Sequence, residues 1–192
     1  MAYILFSGYP GVGKCRILKE IAEDFENVIW VTTTYSIGNV RKELKDRAWV
    51  IDAFSWGMGE IKVNERDFIV PNPTNLNEIS LSFSKVLEKI KGDYILILNS
   101  ISGLAVYQPL PKLLNLLRTL IIKVEKDRAK AVFTLVKGAQ DRAFEISLMM
   151  VFPNIVEIED DRLKILKSSD AELEKKVYSM EKAKEILTKM LS

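Results

Sequence analysis

A glycine-rich segment near the amino terminus has the residue types and spacing that bind phosphate. From Gly8 to Lys14 it reads G-Y-P-G-V-G-K, the G-x-x-x-x-G-K pattern in which backbone N–H groups surround an anion and the lysine adds a positive charge. An apolar run of strand length, Tyr3 to Phe6, precedes it, and a helical stripe from Lys14 to Phe25 follows it. The motif requires this context, because the helix N-terminus adds positive potential. The candidate phosphate-binding residues are Gly8, Tyr9, Pro10, Gly11, Val12, Gly13, Lys14, Cys15 and Arg16.

The residue after the lysine departs from the motif. The motif has serine or threonine there, whose hydroxyl ligates Mg²⁺, and this chain has Cys15. A thiol is a soft ligand and binds a hard cation poorly, so we expect Mg²⁺ to be poorly bound. We interpret Cys15 as a small buried residue, and a reactive thiol at the helix N-terminus is the alternative.

A second segment ends a buried strand with polar residues. The apolar run Ile95 to Leu98 leads into Asn99-Ser100-Ile101-Ser102-Gly103-Leu104. Together with the loop, this resembles the RecA superfamily of P-loop proteins, and more narrowly its archaeal KaiC- and RadA-like members, over roughly Ala2 to Lys167. The resemblance implies a RecA-like fold and ATP or another nucleotide as cofactor. The family has aspartate, which orients Mg²⁺, where this chain has Asn99, so Asn99 and Ser100 form a degenerate Walker B motif.

The resemblance also locates the position of the catalytic base. KaiC-like proteins end their second strand with Thr-Phe-Glu-Glu-Ser, where glutamate activates the attacking water. The matching residues here are Thr32-Thr33-Thr34-Tyr35-Ser36, which place Thr34 and Tyr35 at the glutamate positions. Neither side chain is a base at neutral pH.

Three further residues are candidate contacts for a ligand or a neighbouring subunit. Lys137 and Gln140 follow a predicted strand over Ala131 to Val136, at the edge of a parallel sheet where ligands bind. The resemblance places Lys167 where the family has a Lys-x-Arg that reaches the nucleotide of a neighbouring subunit, and the arginine is lost here.

The altered positions all affect phosphoryl transfer, which needs metal-neutralised charge and an oriented nucleophile. The sequence therefore predicts a catalytically degenerate KaiC/RecA-like domain that binds nucleotide or phosphate weakly and has a regulatory or assembly role. One alternative is a slow Mg-ATP hydrolysing ATPase, in which water and phosphate oxygens complete the Mg²⁺ shell. Another is a small P-loop kinase that uses Asp52, which ends the predicted strand Ala48 to Ile51.

Composition excludes several other classes of protein. The chain of 192 residues has no histidine and one cysteine, which excludes Ser-His and Cys-His nucleophile pairs, internal disulfides and nearly every structural zinc site. The net charge of +2 gives no clear signal for a nucleic-acid partner. No apolar run is long enough to span a membrane, and the start lacks a signal peptide, so we expect a cytoplasmic protein. Abundant Lys, Glu and Ile suit a thermophile.

The pattern of apolar runs and amphipathic segments predicts one α/β domain over residues 1–192, with a parallel sheet flanked by helices on both faces. We expect a core over 1–167 and a C-terminal helix within 168–192, with helical residues from Ala171 to Leu191. The apolar face of that helix needs a partner, which predicts self-association or a protein partner unless its own domain covers it. Residues 54–73 have no clear period and are predicted to be irregular, as either a hairpin excursion or a mobile loop.

Overall fold

The computed structural model describes residues 2–58 and 64–192, and its secondary structure alternates strands with helices. The strands are β1 (Tyr3–Gly8), β2 (Asn27–Thr32), β3 (Ala48–Asp52), β4 (Asp67–Ile69), β5 (Tyr94–Asn99), β6 (Lys130–Val136), β7 (Asn154–Glu159), β8 (Arg162–Lys167) and β9 (Val177–Ser179). The helices are α1 (Lys14–Ala22), α2 (Ile37–Leu44), α3 (Leu76–Leu87), α4 (Ile101–Ala105), α5 (Leu110–Lys126), α6 (Arg142–Met149) and α7 (Ala183–Leu191).

Within the described residues, the strands form one sheet in the order β4-β3-β2-β5-β6-β1-β7-β8-β9. Strands β1 to β7 are parallel to their neighbours, and β8 and β9 add an antiparallel edge. Helices α1, α2 and α7 cover one face of the sheet, and α3 to α6 cover the other. Because both faces are covered, the central strands are apolar throughout rather than alternating. The predicted α/β class, with helices on both faces, is confirmed.

The parallel register brings the ends of distant segments to one edge of the sheet. Thr32 at the end of β2 pairs with Asn99 at the end of β5, and Gly8 at the end of β1 pairs with Val136 at the end of β6. The loops that follow these four strands therefore lie together. This edge carries the candidate site.

The predicted helix over Ala171 to Leu191 is wrong in its extent. The chain forms turns after β8, then β9, and only Ala183–Leu191 is α-helical. Lys175 has a φ of 60°, a left-handed conformation that a continuous helix cannot contain. Tyr178 pairs instead with Leu163 of β8. The spacing of apolar residues in 171–182 resembles a helical stripe, but these residues form turns and an edge strand.

The apolar face of α7 is covered within the same chain. Ile186, Leu187 and Leu191 are buried in the core that α1 and α2 share. The apolar face of α7 therefore gives no reason to expect self-association. No helix in the described part of the chain has the length and apolar character to cross a membrane.

Two other elements differ from the sequence prediction. Helix α4 was not predicted, because five residues are too few to show a helical period. The segment predicted to be irregular, 54–73, contains β4, which pairs with β3, and residues 59–63 of it lie outside the described part of the chain.

Gly103 of α4 packs against the end of β2. A Cβ atom on Gly103 would lie 2.8 Å from the carbonyl oxygen of Thr33 and would also overlap the Thr33 hydroxyl. The backbone cannot move away easily, so we expect Gly103→Ala to lower the free energy of unfolding by about 1–3 kcal/mol. Gly38→Ala in α2 is the matched control, since nothing lies within 4 Å of its added Cβ. That variant should gain about 0.5–1 kcal/mol, and equal urea midpoints for the two variants would contradict the packing.

Candidate phosphate-binding site

The loop between β1 and α1 turns through glycines that have positive φ angles. Gly11 and Gly13 have φ values of 82° and 89°, a left-handed region that glycine adopts without strain. Gly13 is the N-cap of α1, no side chain caps the helix, and its first turn has no acidic residue. The first N–H groups of α1 are therefore available to an anion, and the helix dipole favours one there.

Lys14 lies within the loop. Its Nζ donates hydrogen bonds to the carbonyl oxygens of Gly8 and Tyr9, the second at 2.9 Å. Burial lowers the pKa of Lys14 from its ordinary value. A bound phosphate would favour the charged ammonium, but it would compete with these two carbonyl oxygens for the same hydrogens.

Cys15 and Asn99, which stand at the two metal-side positions where the motif and the resemblance have Mg²⁺-binding residues, contact each other. Asn99 Nδ2 donates to the Sγ of Cys15 at 3.2 Å, and Asn99 Oδ1 accepts a hydrogen bond of 2.9 Å from the Thr134 hydroxyl. Asn99 is 7 % exposed. Both ends of its amide are thus engaged, by a thiol on one side and a hydroxyl on the other.

These residues do not fit a magnesium ion. Mg²⁺ requires oxygen ligands in near-octahedral geometry, and the pair offers a sulfur atom and an amide that turns its N–H₂ group toward that sulfur. The amide oxygen is turned toward Thr134. The residues described by the structure contain no group of three or more His, Cys, Asp or Glu side chains placed to hold a metal ion.

The residues predicted at the catalytic-base position follow β2 at the same edge. Thr34 is half-buried, and Tyr35 is 49 % exposed. The turn is held by the Thr32 hydroxyl, which donates to the carbonyl oxygen of Tyr35 at 2.7 Å. The neighbouring Thr33 hydroxyl donates to the carbonyl oxygen of Ser100 and accepts from its N–H, at 2.7 and 2.8 Å. The ends of β2 and β5 are thereby fixed to each other.

Lys137 lies beside the loop but is held by carboxylates. Its Nζ contacts Glu157 Oε1 and Glu159 Oε1, each at 2.8 Å, and lies 5.4 Å from the centre of the Tyr9 ring. These carboxylates raise the pKa of Lys137 above its ordinary value, and hydrogen bonds from Lys137 and Lys164 lower the pKa of Glu159 to about 2. The Lys137 N–H also donates to the carbonyl oxygen of Gly8 at 3.1 Å.

The side-chain oxygen of Gln140 is buried, whereas the side chain of Arg16 is exposed to solvent. The Oε1 of Gln140, in the segment after β6, is buried with no hydrogen-bond partner among the described residues. Arg16 points to solvent and forms a weak pair with Glu20 at 3.7 Å. A ligand contact by Gln140 stays a prediction.

Lys167 is not brought to this site. It pairs with Ile155 at the beginning of β7, whereas Gly8 pairs with Ile158 near the end of that strand. Lys167 therefore lies toward the opposite end of the sheet, where its Nζ donates to the carbonyl oxygen of Phe152 at 2.8 Å. Its role in a contact between subunits stays a prediction.

Asp52 has a structural environment that contradicts the kinase alternative. Three strands separate β3 from β1, which places Asp52 about 19 Å across the sheet from the loop strand. Its carboxylate is fully buried and accepts hydrogen bonds from the N–H groups of Ile37, Phe54 and Ser55 at 2.8–2.9 Å. The carboxylate closes the turns after β2 and β3 and does not reach the loop between β1 and α1.

Sequence analysis missed several residues of this edge. Glu157 is 6 % exposed and accepts a hydrogen bond from Ser7 beside the loop. A signal was present, because Glu157 is a charge inside the apolar strand β7. Thr33 and Thr134 left no such signal, since threonine is common in strands.

Comparison with solved structures agrees with this fold. A KaiC-like protein from the hyperthermophilic archaeon Pyrococcus horikoshii is 16 % identical, with a TM-score of 0.65 over 92 % of this chain and 84 % of that one. An uncharacterised P. horikoshii protein, in complex with an unknown peptide, is 15 % identical, with a TM-score of 0.61 over 86 % and 84 % of the two chains.

A more distant match is an ATPase of the type III secretion system of pathogenic bacteria. It is 11 % identical, with a TM-score of 0.55 over 83 % of this chain and 51 % of that one. No family model and no curated protein sequence matches the chain. At these identities the likeness concerns the fold alone, and it agrees with the predicted α/β fold of a parallel sheet flanked by helices.

Proposed function

We propose that the loop from Gly8 to Arg16 binds the phosphate groups of a nucleotide, ATP or another, weakly and without magnesium. The observation that carries the proposal is the contact between Cys15 Sγ and Asn99 Nδ2, which occupies the metal side of the loop with groups that bind Mg²⁺ poorly. The N–H groups at the start of α1 act on an anion with or without a metal. Weak binding follows from Lys14, which must leave the carbonyl oxygens of Gly8 and Tyr9.

We further propose that the domain does not hydrolyse the nucleotide and has a regulatory or assembly role. Thr34 and Tyr35 offer no general base at neutral pH. A partner surface is supported by two aromatic side chains at the same edge of the sheet, Tyr35 after β2 and Trp56 after β3, which are 49 % and 42 % exposed. Exposed aromatic residues are frequent where proteins bind partners.

Phosphate release from ATP tests the proposed loss of hydrolysis. We expect no turnover above the uncatalysed background in the presence of Mg²⁺, because the base is missing and the metal is poorly held. The matched control is Lys14→Ala, which removes the loop cation and should give the same background. A kcat near about 1 s⁻¹, ordinary for an enzyme, that disappears in Lys14→Ala would show the slow ATPase instead.

A further inference from the structure

The turn that follows β6 contacts the loop between β1 and α1 at three points. The N–H group of Lys137 donates to the carbonyl oxygen of Gly8 at 3.1 Å. The Nζ of Lys137 lies 5.4 Å from the centre of the Tyr9 ring, within the range of a cation–π interaction. A Cβ atom added to Gly138 would lie 3.6 Å from Tyr9 Cε1, so the ring also packs against the backbone of the turn. Gly8 and Tyr9 are therefore held from the side of β6.

The same two residues of the loop hold Lys14. The Nζ of Lys14 donates to the carbonyl oxygens of Gly8 and Tyr9, so each of these residues contacts both lysines. Because Tyr9 carries both the ring and the carbonyl oxygen, a ring fixed by Lys137 restricts the movement of that oxygen. The contacts form a chain from Lys137 through Tyr9 to Lys14.

Carboxylates fix Lys137 at the start of this chain. Its Nζ contacts Glu157 and Glu159 at 2.8 Å each. Glu157 is 6 % exposed and also accepts a hydrogen bond of 3.3 Å from the Ser7 hydroxyl, and Glu159 also pairs with Lys164. The two lysines and two glutamates have no net charge together, so the charge of Lys137 is already compensated without a phosphate. Removing one partner from a buried ion pair is costly, which keeps Lys137 in place.

We propose that Lys137 is a positioning residue of the phosphate-binding site, which acts through Tyr9 to keep Lys14 on the carbonyl oxygens of the loop. The inference rests on the proposed phosphate binding. A phosphate must draw Lys14 away from oxygens that are held in place, and this competition lowers the apparent affinity. A ligand contact by Lys137 would have the opposite sign: losing that contact would weaken phosphate binding, whereas releasing Tyr9 tightens it.

Two variants remove the contact between Lys137 and Tyr9 from opposite sides. Tyr9→Leu removes the ring and leaves the ion pairs of Lys137 in place. Lys137→Met together with Glu157→Gln removes one positive and one negative charge, so the net charge beside the loop is unchanged. By calorimetric titration in EDTA, we expect each variant to bind ATP about threefold more tightly than the parent, the size of effect that a cation–π contact at a partly exposed site gives. Because both variants remove one contact, their combination should bind no more tightly than either alone.

Matched controls separate this contact from general effects of the substitutions. Tyr107→Leu removes another exposed tyrosine ring, at 57 % exposure against 49 % for Tyr9. Lys184→Met together with Asp24→Asn removes an ion pair of 2.8 Å between α7 and the segment after α1, again without a change in net charge. Both controls should bind ATP like the parent.

The side-chain NMR signal of Lys14 gives a readout that needs no nucleotide. Burial lowers the pKa of Lys14, and a lysine released from the loop is better hydrated, so its pKa should rise toward the ordinary value in Tyr9→Leu. Titration of the ¹³Cε–Hε signal, assigned with Lys14→Arg, measures this pKa.

Three results would overturn the proposal: an unchanged Lys14 pKa in Tyr9→Leu, ATP binding in either variant that is no tighter than in the parent, or gains that add when the variants are combined. If neither the parent nor the variants bind ATP, the proposed phosphate binding is wrong, and the Lys14 titration decides the positioning role by itself.

Discussion

Replacing Asp52 by alanine is expected to lower the free energy of unfolding by about 3–5 kcal/mol. The carboxylate is fully buried and accepts hydrogen bonds from three backbone N–H groups, those of Ile37, Phe54 and Ser55. Removing it leaves three donors unpaired, and each buried unpaired donor costs about 1–3 kcal/mol before water enters. Asp52→Asn keeps one acceptor oxygen and should lose roughly half as much. Urea denaturation measures both changes.

The matched control for this experiment is Asp93→Ala. Asp93 is exposed, and a surface substitution of this kind stays within about 0.5 kcal/mol of the parent. If Asp52→Ala were as stable as Asp93→Ala, the structural role of Asp52 would be wrong. Phosphate binding should be the same in Asp52→Asn and the parent, because Asp52 lies about 19 Å from the loop strand.

Converting both metal-side positions together, with Cys15→Ser and Asn99→Asp, is expected to create Mg²⁺-dependent binding of ATP. The serine hydroxyl can donate to the new carboxylate, which replaces the hydrogen bond that Asn99 Nδ2 now gives to Cys15 Sγ. Both positions then present oxygen, the atom that Mg²⁺ prefers. We expect Mg²⁺ to tighten ATP binding by at least about tenfold in this variant, which corresponds to about 1.4 kcal/mol.

Each single variant is a control for the double variant. Asn99→Asp alone leaves sulfur at one ligand position, and Cys15→Ser alone leaves the uncharged amide at the other, so each should respond to Mg²⁺ only weakly. Calorimetric titration with ATP, in Mg²⁺ and in EDTA, measures all three. A double variant as insensitive to Mg²⁺ as the parent would contradict the assignment of these two positions.

Much of the fold could be predicted from the sequence because its signals are local. The strand before the loop, the glycines at Gly11 and Gly13 and the start of α1 follow each other within twenty residues, and each has a physical signature. The error at 171–182 arose because apolar spacing alone does not show that Lys175 adopts a left-handed conformation or that Tyr178 pairs with β8.

The contacts within the site could not be predicted, since they join residues far apart in the chain. Cys15 and Asn99 were each identified as altered, but their direct contact depends on the position of β5 in the sheet. Asp52 ends an apolar strand just as Asn99 does, and only the strand order separates the two. Lys137 was predicted at the edge of the sheet where ligands bind, and the carboxylates that hold it come from β7, a strand later in the chain.

Titration of the unaltered protein with ATP, once with Mg²⁺ and once with EDTA, tests metal-independent phosphate binding most directly. We predict weak binding with dissociation constants that agree within about twofold under the two conditions, because the backbone N–H groups and Lys14 act on the phosphates without a metal. Tenfold or tighter binding in Mg²⁺, or no binding of ATP at about millimolar concentration, would contradict the account.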